Sequence, residues 1–203
     1  MILRDDLSAR LVHLTRGDIE PAARAFLSIV KEERLRGGDT HIRGGYRCVC
    51  FSEAPIGKLA HLLADPAVER MRYKPFGVMV DKTWLFERGG RPVIYQPEAE
   101  FNLLHESQRY RHVRYEPPNI DFTWEREWRM WADELSLDPQ AVTLVVPTRA
   151  WARYFLRQHE AGRGRFAFLT GGLGGGAPFP WHFVVLEDVG VDIPNVPAPP
   201  RVR

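Results

Sequence analysis

The pattern of apolar and polar positions predicts short strands separated by a few helices. Apolar runs bounded by glycine, proline or aspartate are typical of strands in a sheet. Apolar residues at helical spacing over about 19–35, ending at Gly37, predict the first helix, and residues 55–64, 98–110 and 148–159 also fit helices. The predicted strands are residues 11–15, 46–52, 76–80, 92–95, 123–130, 141–146, 166–169 and 183–186.

This alternation of strands and helices indicates an α+β fold. The 203 residues fit one domain, which we expect to span residues 1–192. The proline-rich residues 193–203 predict an extended, poorly ordered tail. The glycine-rich residues 171–176 follow a predicted strand but lack the lysine of a phosphate-binding loop, so we interpret them as a flexible hairpin or lid.

Composition and charge narrow the classes of function. The net charge of +2 is too small to indicate nucleic-acid or membrane binding by charge alone. No apolar run approaches the roughly 18 residues of a membrane span, and the first residues lack the apolar core of a signal peptide. Two cysteines, Cys48 and Cys50, are expected to be reduced. The sequence therefore predicts a cytoplasmic protein without a membrane partner.

The most informative segment is 123–130, in which two acids lie between two tryptophans. On a strand, one face carries three charges and the other is large and apolar. This pattern indicates carboxylates held at a site by packed tryptophans. Two alternatives are a solvated strand edge with surface ion pairs and a helix with an i,i+4 pair. The charged positions are Glu125, Glu127 and Arg129, and the apolar positions are Trp124, Trp128 and Met130.

Two shorter motifs close the first two long strands. His13, two residues before Thr15, is either a satisfied core histidine or a ligand for a substrate hydroxyl. Ser52 either caps the following helix or braces a catalytic glutamate. No Gly-x-Ser-x-Gly elbow surrounds Ser52, so we do not expect it to be a nucleophile. The histidines and cysteines have no metal-ligand spacing, and no metal site is predicted.

In this order, the His-x-Thr, Cys-Phe-Ser-Glu and Trp-Glu-x-Glu-Trp-Arg motifs resemble a family of bacterial proteins with an ADP-ribosyltransferase-like fold. The family includes abortive-phage-infection proteins and, as distant relatives, DNA-targeting toxin ADP-ribosyltransferases. The resemblance runs from about Leu11 to Met130 and includes residues 81–86 and 92–95. The motif around Glu127 is the more specific one, whereas those around His13 and Ser52 are short.

The resemblance implies split β-sheets around a cleft for NAD, with flanking helices. It implies a triad of His13, Ser52 and Glu127, in which the Glu127 carboxylate binds the ribose 2′-hydroxyl beside the cation that forms when nicotinamide leaves. It also implies that Glu125 faces the acceptor of ADP-ribose.

The same resemblance suggests the remaining cofactor contacts. His13, with Thr15 beside it, would hold the ribose or the nicotinamide carboxamide. The ring of Phe51 or Tyr95 would stack on nicotinamide, and Arg16 or Arg47 would meet the pyrophosphate.

The function implied by the resemblance is mono-ADP-ribosyl transfer from NAD, without a metal, in phage defence or as a toxin. The acceptor would be a protein or a nucleic acid, and an antitoxin is a possible partner. Two alternatives remain open. The same residues fit an NAD glycohydrolase with water as acceptor, and the fold also fits a catalytically inactive sensor or partner-binding module.

Overall fold

The computed structural model describes residues 8–65, 73–170 and 178–201, with the backbone alone for residues 164–170. Its helices and its large mixed sheet confirm the predicted α+β class. The helices are α1 (Ile19–Glu32), α2 (Ile56–Ala64), α3 (Lys82–Glu87) and α4 (Arg149–Thr170). The strands are β1 (Arg10–Arg16), β2 (Arg34–Arg36), β3 (Cys48–Ser52), β4 (Tyr73–Asp81), β5 (Arg91–Pro92), β6 (Ile94–Gln96), β7 (His112–Arg114), β8 (Glu127–Trp131), β9 (Glu134–Ser136), β10 (Val142–Val146) and β11 (His182–Val185).

The main sheet orders its strands β11-β10-β4-β1-β3-β8-β5. Its neighbours are antiparallel except for the parallel pair β10–β11 at one edge. The narrowest junction is in the middle, where β1 and β3 share the single register pair Val12–Ser52. The pairing of β1 with β3 therefore leaves an opening inside one sheet, and the expected cleft between split sheets stays a prediction. Small two-stranded sheets, β2–β9 and β6–β7, lie outside it.

Buried side chains cover both faces of the main sheet. One cluster packs α1 and α4 against the sheet, with Phe26, Phe76 and Trp151 among its fully buried members. A second cluster packs α2 against the other face through Leu59 and Ala60. The sheet is thus a layer between helices, and the opening between β1 and β3 lies at its centre.

Helix α1 ends earlier than its apolar spacing predicts. Glu33 adopts a left-handed conformation with φ of 51°, and its backbone N–H donates to Ile29 O. This geometry closes the helix at Glu32. Leu35, which the spacing assigned to the helix, instead lies on β2 opposite Leu135 of β9. The prediction was wrong here because a glutamate, rather than the expected glycine, supplies the left-handed residue.

The tryptophan-bracketed segment is only partly a strand. Thr123–Glu125 form a 3-10 helix, Arg126 is left-handed with φ of 46°, and β8 begins at Glu127. Trp124 consequently packs in the cluster on the α2 side, whereas Trp128 packs in the cluster on the α1 side. The expectation that both tryptophans share one apolar face was wrong, because Arg126 redirects the chain between them.

Two further predictions meet a different structure, and a third lies where the structure is not described. Residues 98–110, predicted as one helix, form two 3-10 helices, Glu98–Leu103 and Glu106–Arg111. Residues 166–169, predicted as a strand, continue α4. The glycine-rich residues 171–176 lie outside the described residues.

The C-terminal tail, which follows the 3-10 helix Leu186–Val189, has no helix or strand up to residue 201. It is nevertheless held to the body, because the buried Trp151 indole donates to Pro197 O at 2.8 Å. The contact is local to Pro197, and the poor order expected for residues 193–203 stays a prediction. Among the described residues, no helix combines the length and the apolarity that a membrane crossing requires.

Gly77 allows β4 to approach β1 unusually closely. It lies opposite Leu14 in the antiparallel pair. A Cβ atom built on Gly77 would lie 2.0 Å from the backbone oxygen of His13. No real Cβ contact is that short, so the position admits glycine alone at this spacing. The close approach fixes the backbone of His13.

Candidate functional site

A cavity of about 280 Å³ lies where β1 and β3 diverge. Continuation of the Val12–Ser52 register would pair Leu14 with Cys50, but the His13 ring takes the place of that backbone pairing. Its Nδ1 atom lies 2.8 Å from Cys50 O. The side chain therefore bridges the opening and forms part of the cavity wall.

His13 is a neutral imidazole. A carbonyl oxygen can only accept, so Nδ1 carries the proton and donates to Cys50 O. Burial lowers the pKa of His13 to about 4; the bond to Cys50 opposes this shift and the charge of Arg16 adds to it. The unprotonated Nε2 atom is consequently a hydrogen-bond acceptor at neutral pH.

The burial of His13 predicts a loss of stability in acid. Its pKa is about 4 in the folded chain against an ordinary 6.5, so the unfolded chain binds the proton more readily. The free energy of unfolding should fall as the pH drops from 6.5 towards 4, by at most about 3 kcal/mol from this group. Urea unfolding across this range should show that His13→Gln removes this part of the decline.

His61→Gln is the matched control, because His61 is exposed on α2 and its replacement changes no buried group. This variant should follow the wild-type pH dependence. If His13→Gln also follows it, the buried neutral state of His13 is wrong.

Glu125 ends a chain of polar contacts on the cavity wall. Tyr73 donates its hydroxyl to Glu125 Oε2 at 2.8 Å and accepts from Arg16 Nη2 at 2.5 Å. The Arg16 guanidinium carbon also lies 4.6 Å from the centre of the Tyr73 ring. Burial raises the pKa of Glu125, the bond from Tyr73 counteracts this, and the nearby Glu127 charge adds to it. Glu125 is thus a better proton acceptor than a solvated glutamate.

Glu127 begins β8 and is held by a buried arginine two residues later. Arg129 Nε donates to Glu127 Oε1 at 2.9 Å, and Arg129 Nη2 donates to Glu127 Oε2 at 3.1 Å. The Cys50 thiol also bonds Glu127, and burial raises the pKa of that thiol above its usual range. Both cysteines are free, as expected. The Glu127 carboxylate is therefore fixed in place with 11% of its side chain exposed on the cavity wall.

Ser52 braces the turn that carries Glu125. Its hydroxyl donates to Glu125 O at 2.6 Å and accepts from Ala54 N at 3.1 Å. The next backbone N–H, that of Glu53, donates to Arg126 O at 3.1 Å. The end of β3 thus holds the short 3-10 helix and its left-handed residue in register.

Glu53 secures the same region from behind the cavity. Its carboxylate forms an ion pair with Lys82 on α3 and accepts from Trp128 Nε1 at 2.9 Å. Trp128 is 7% exposed and packs in the main core. Of the two tryptophans predicted to hold the acids by packing, Trp128 is the one that Glu53 ties to the end of β3.

The cavity brings together most of the predicted site residues. Its wall contains His13, Thr15, Phe51, Ser52, Glu125 and Glu127. The side chains of two of these residues are occupied by contacts within the protein. Thr15 Oγ1 donates to Phe76 O at 3.0 Å. The Phe51 ring is buried and meets His13 edge-on at 5.8 Å, so it supports His13 rather than offering a free face.

Two predicted cofactor contacts lie away from the cavity wall. The Tyr95 hydroxyl accepts from Glu127 N at 3.2 Å and donates to Phe122 O at 3.3 Å, so it is a structural brace. Arg47 donates to Gly37 O and pairs with Asp133 at 2.9 Å. These partners direct Arg47 towards β9, whereas Arg16, the other arginine expected to meet pyrophosphate, lies on the cavity wall.

Tyr73, Arg36 and Cys50 are among the cavity residues that were not singled out as site residues from the sequence. Tyr73 reaches the site because the β1–β4 register places it opposite Arg16, across a bulge after Leu14. Arg36 reaches it because Glu33 ends α1 and starts β2. The register between β1 and β4 and the early end of α1 have no local sequence signal. Only the alternation of apolar and polar residues that forms each strand is local.

The cavity suits chemistry in which positive charge develops on a bound substrate. Two carboxylates and one neutral imidazole line a small space inside a sheet. The same wall contains Arg16, which donates to Tyr73, and Arg36, which donates to Glu32. Among residues 8–65, 73–170 and 178–201, no three histidine, cysteine, aspartate or glutamate side chains gather as a metal-binding group.

Comparisons with protein-family models, with curated proteins and with solved structures each find no match to this chain.

Proposed function

We propose that the protein is a mono-ADP-ribosyltransferase that uses NAD as its substrate. One observation carries the proposal: His13, Ser52 and Glu127, from three different strands, reach one cavity at the opening of the sheet. Glu125 lies beside them on the same wall. The four side chains fit the roles that the resemblance of the sequence implies.

The electrostatics of the cavity fit cleavage of the bond between nicotinamide and ribose. When that bond breaks, the electron pair leaves with nicotinamide, and positive charge moves to the ribose ring. The Glu127 carboxylate, fixed by Arg129, stabilises this charge from a preorganised position. His13 contributes a hydrogen-bond acceptor without a positive charge that would oppose the cation.

Transfer to an acceptor requires a base on the wall that faces it. The acceptor N–H or O–H forms a bond to ribose C1′ and gives up its proton, which Glu125 takes. The raised pKa of Glu125 favours this step. Tyr73 and Ser52 hold the two ends of Glu125, its side chain and its backbone oxygen. The proposed role in phage defence or as a toxin, with an antitoxin partner, rests on the resemblance alone.

The test uses the wild-type chain and NAD labelled in the adenylate half. Nicotinamide release and transfer of label to macromolecules in a bacterial extract are the expected results. Nicotinamide release with free ADP-ribose, and no labelled macromolecule, would instead assign an NAD glycohydrolase. The absence of NAD binding by calorimetry would overturn both activities and leave the inactive binding module.

A further inference from the structure

Arg129 is the most deeply buried charged side chain next to the cavity. Its side chain is 5% exposed, and it lies two residues after Glu127 on β8. We infer that Arg129 is a positioning residue of the proposed reaction, which acts by fixing the Glu127 carboxylate towards the substrate. The inference rests on the proposed function, because it assigns a role within that same site.

The contacts of Arg129 define a rigid clamp. Nε and Nη2 each donate to one oxygen of Glu127. On the opposite side, Nη1 donates to Tyr110 O at 3.0 Å and to His112 O at 2.9 Å. A planar guanidinium held at both ends fixes the plane of the carboxylate it binds. With two bonds from Arg129 and one from the Cys50 thiol, the carboxylate retains one of its four lone pairs for a substrate hydroxyl.

The position of the Arg129–Glu127 ion pair at the cavity indicates a role in the site as well as in stability. A buried ion pair gains little over apolar packing, because both charges lose their hydration. Burial opposes the charge of Arg129, but pairing with Glu127 outweighs it and the pKa of Arg129 is raised. The carboxylate of this pair lies on the cavity wall, whereas its arginine lies behind it. An ion pair built this way holds the Glu127 carboxylate in one place on the cavity wall.

Lysine is a discriminating replacement for Arg129. It keeps the positive charge, but its single ammonium cannot grip both carboxylate oxygens and both carbonyls in one plane. Arg129→Lys should therefore leave NAD bound while the carboxylate becomes misplaced. Because a misplacement of about 1 Å costs about 100-fold in rate, kcat should fall by about 100-fold with KM within about threefold.

The experiment compares wild type, Arg129→Lys, Glu127→Gln and the double variant. Nicotinamide release is expressed per NAD-binding molecule, with the binding stoichiometry taken from calorimetry, so that loss of folded protein does not enter kcat. If Arg129 acts through Glu127, the double variant should be no slower than Glu127→Gln alone. Arg34→Lys, at an exposed ion pair with Glu134, is the matched control and should retain wild-type kcat.

Two results would overturn the positioning role while the proposed function stands. One is an active wild type with unchanged kcat in Arg129→Lys, and the other is a double variant in which the two losses multiply. A wild type that releases no nicotinamide would instead remove the proposed function and this role with it. Melting temperatures of the same four proteins then show, without substrate, whether the two side chains are coupled.

Discussion

Replacing Glu127 with glutamine should slow nicotinamide release by at least about 100-fold at a nearly unchanged KM. Glutamine has almost the shape of glutamate and keeps a hydrogen-bond acceptor for Arg129. It lacks the negative charge that stabilises the ribosyl cation. The loss should therefore appear in kcat, which is measured as initial nicotinamide release at saturating NAD.

The same change leaves the buried Arg129 without its counter-ion, so about 1–3 kcal/mol of stability should also be lost. Nicotinamide release should therefore be measured at a temperature well below the melting temperature of the variant. Glu134→Gln is the matched control, because Glu134 is an exposed partner in a surface ion pair. It should keep the wild-type rate, since such pairs contribute little. A Glu127→Gln variant with wild-type kcat would place the chemistry elsewhere.

Replacing Gly77 with alanine should lower the free energy of unfolding by roughly 3 kcal/mol. The new Cβ would lie 2.0 Å from His13 O, so β1 and β4 must separate in the middle of the sheet. The obstacle is backbone rather than the end of a flexible side chain, and relaxation is correspondingly expensive. His13 must move with β1, so nicotinamide release should fall together with stability.

Gly57→Ala provides the comparison for this substitution. Gly57 lies in α2, and its added Cβ would have no neighbour within 4 Å. Alanine there should leave stability unchanged or raise it by up to about 1 kcal/mol, because it lowers the entropy of the unfolded chain. Urea unfolding of both variants gives the two values. Equal stabilities would show that β1 and β4 are not as close as described.

Local patterns predicted the central strands because the signals for those strands are local. β1, β3, β4 and β10 are short apolar runs between polar breakers, and each was expected close to its observed position. Two of the failures occur at single left-handed residues. Glu33 ends α1 and Arg126 interrupts the tryptophan motif, yet neither is a glycine or an asparagine. A left-handed glutamate or arginine depends on tertiary packing, which no local pattern records.

The candidate site shows the same division. Ser52 ends β3, Glu127 begins β8 and His13 lies in the middle of β1; each belongs to a recognisable motif, and the three gather on one cavity wall. The Tyr73 contact with Glu125 depends on β4 pairing with β1 across a bulge, and so on long-range register. Arg129 was visible as a charge on the motif. Its two backbone acceptors come from residues 17 to 19 positions away, so its clamp was not predictable.

The most direct test of the proposed site is a crystal structure of the protein with a non-hydrolysable NAD analogue. The nicotinamide ribose should occupy the cavity between β1 and β3, with its 2′-hydroxyl about 2.7 Å from a Glu127 oxygen. His13 Nε2 should accept a hydrogen bond from the ribose or from the carboxamide. An analogue bound elsewhere, or an empty cavity at a saturating concentration, would contradict the proposed site.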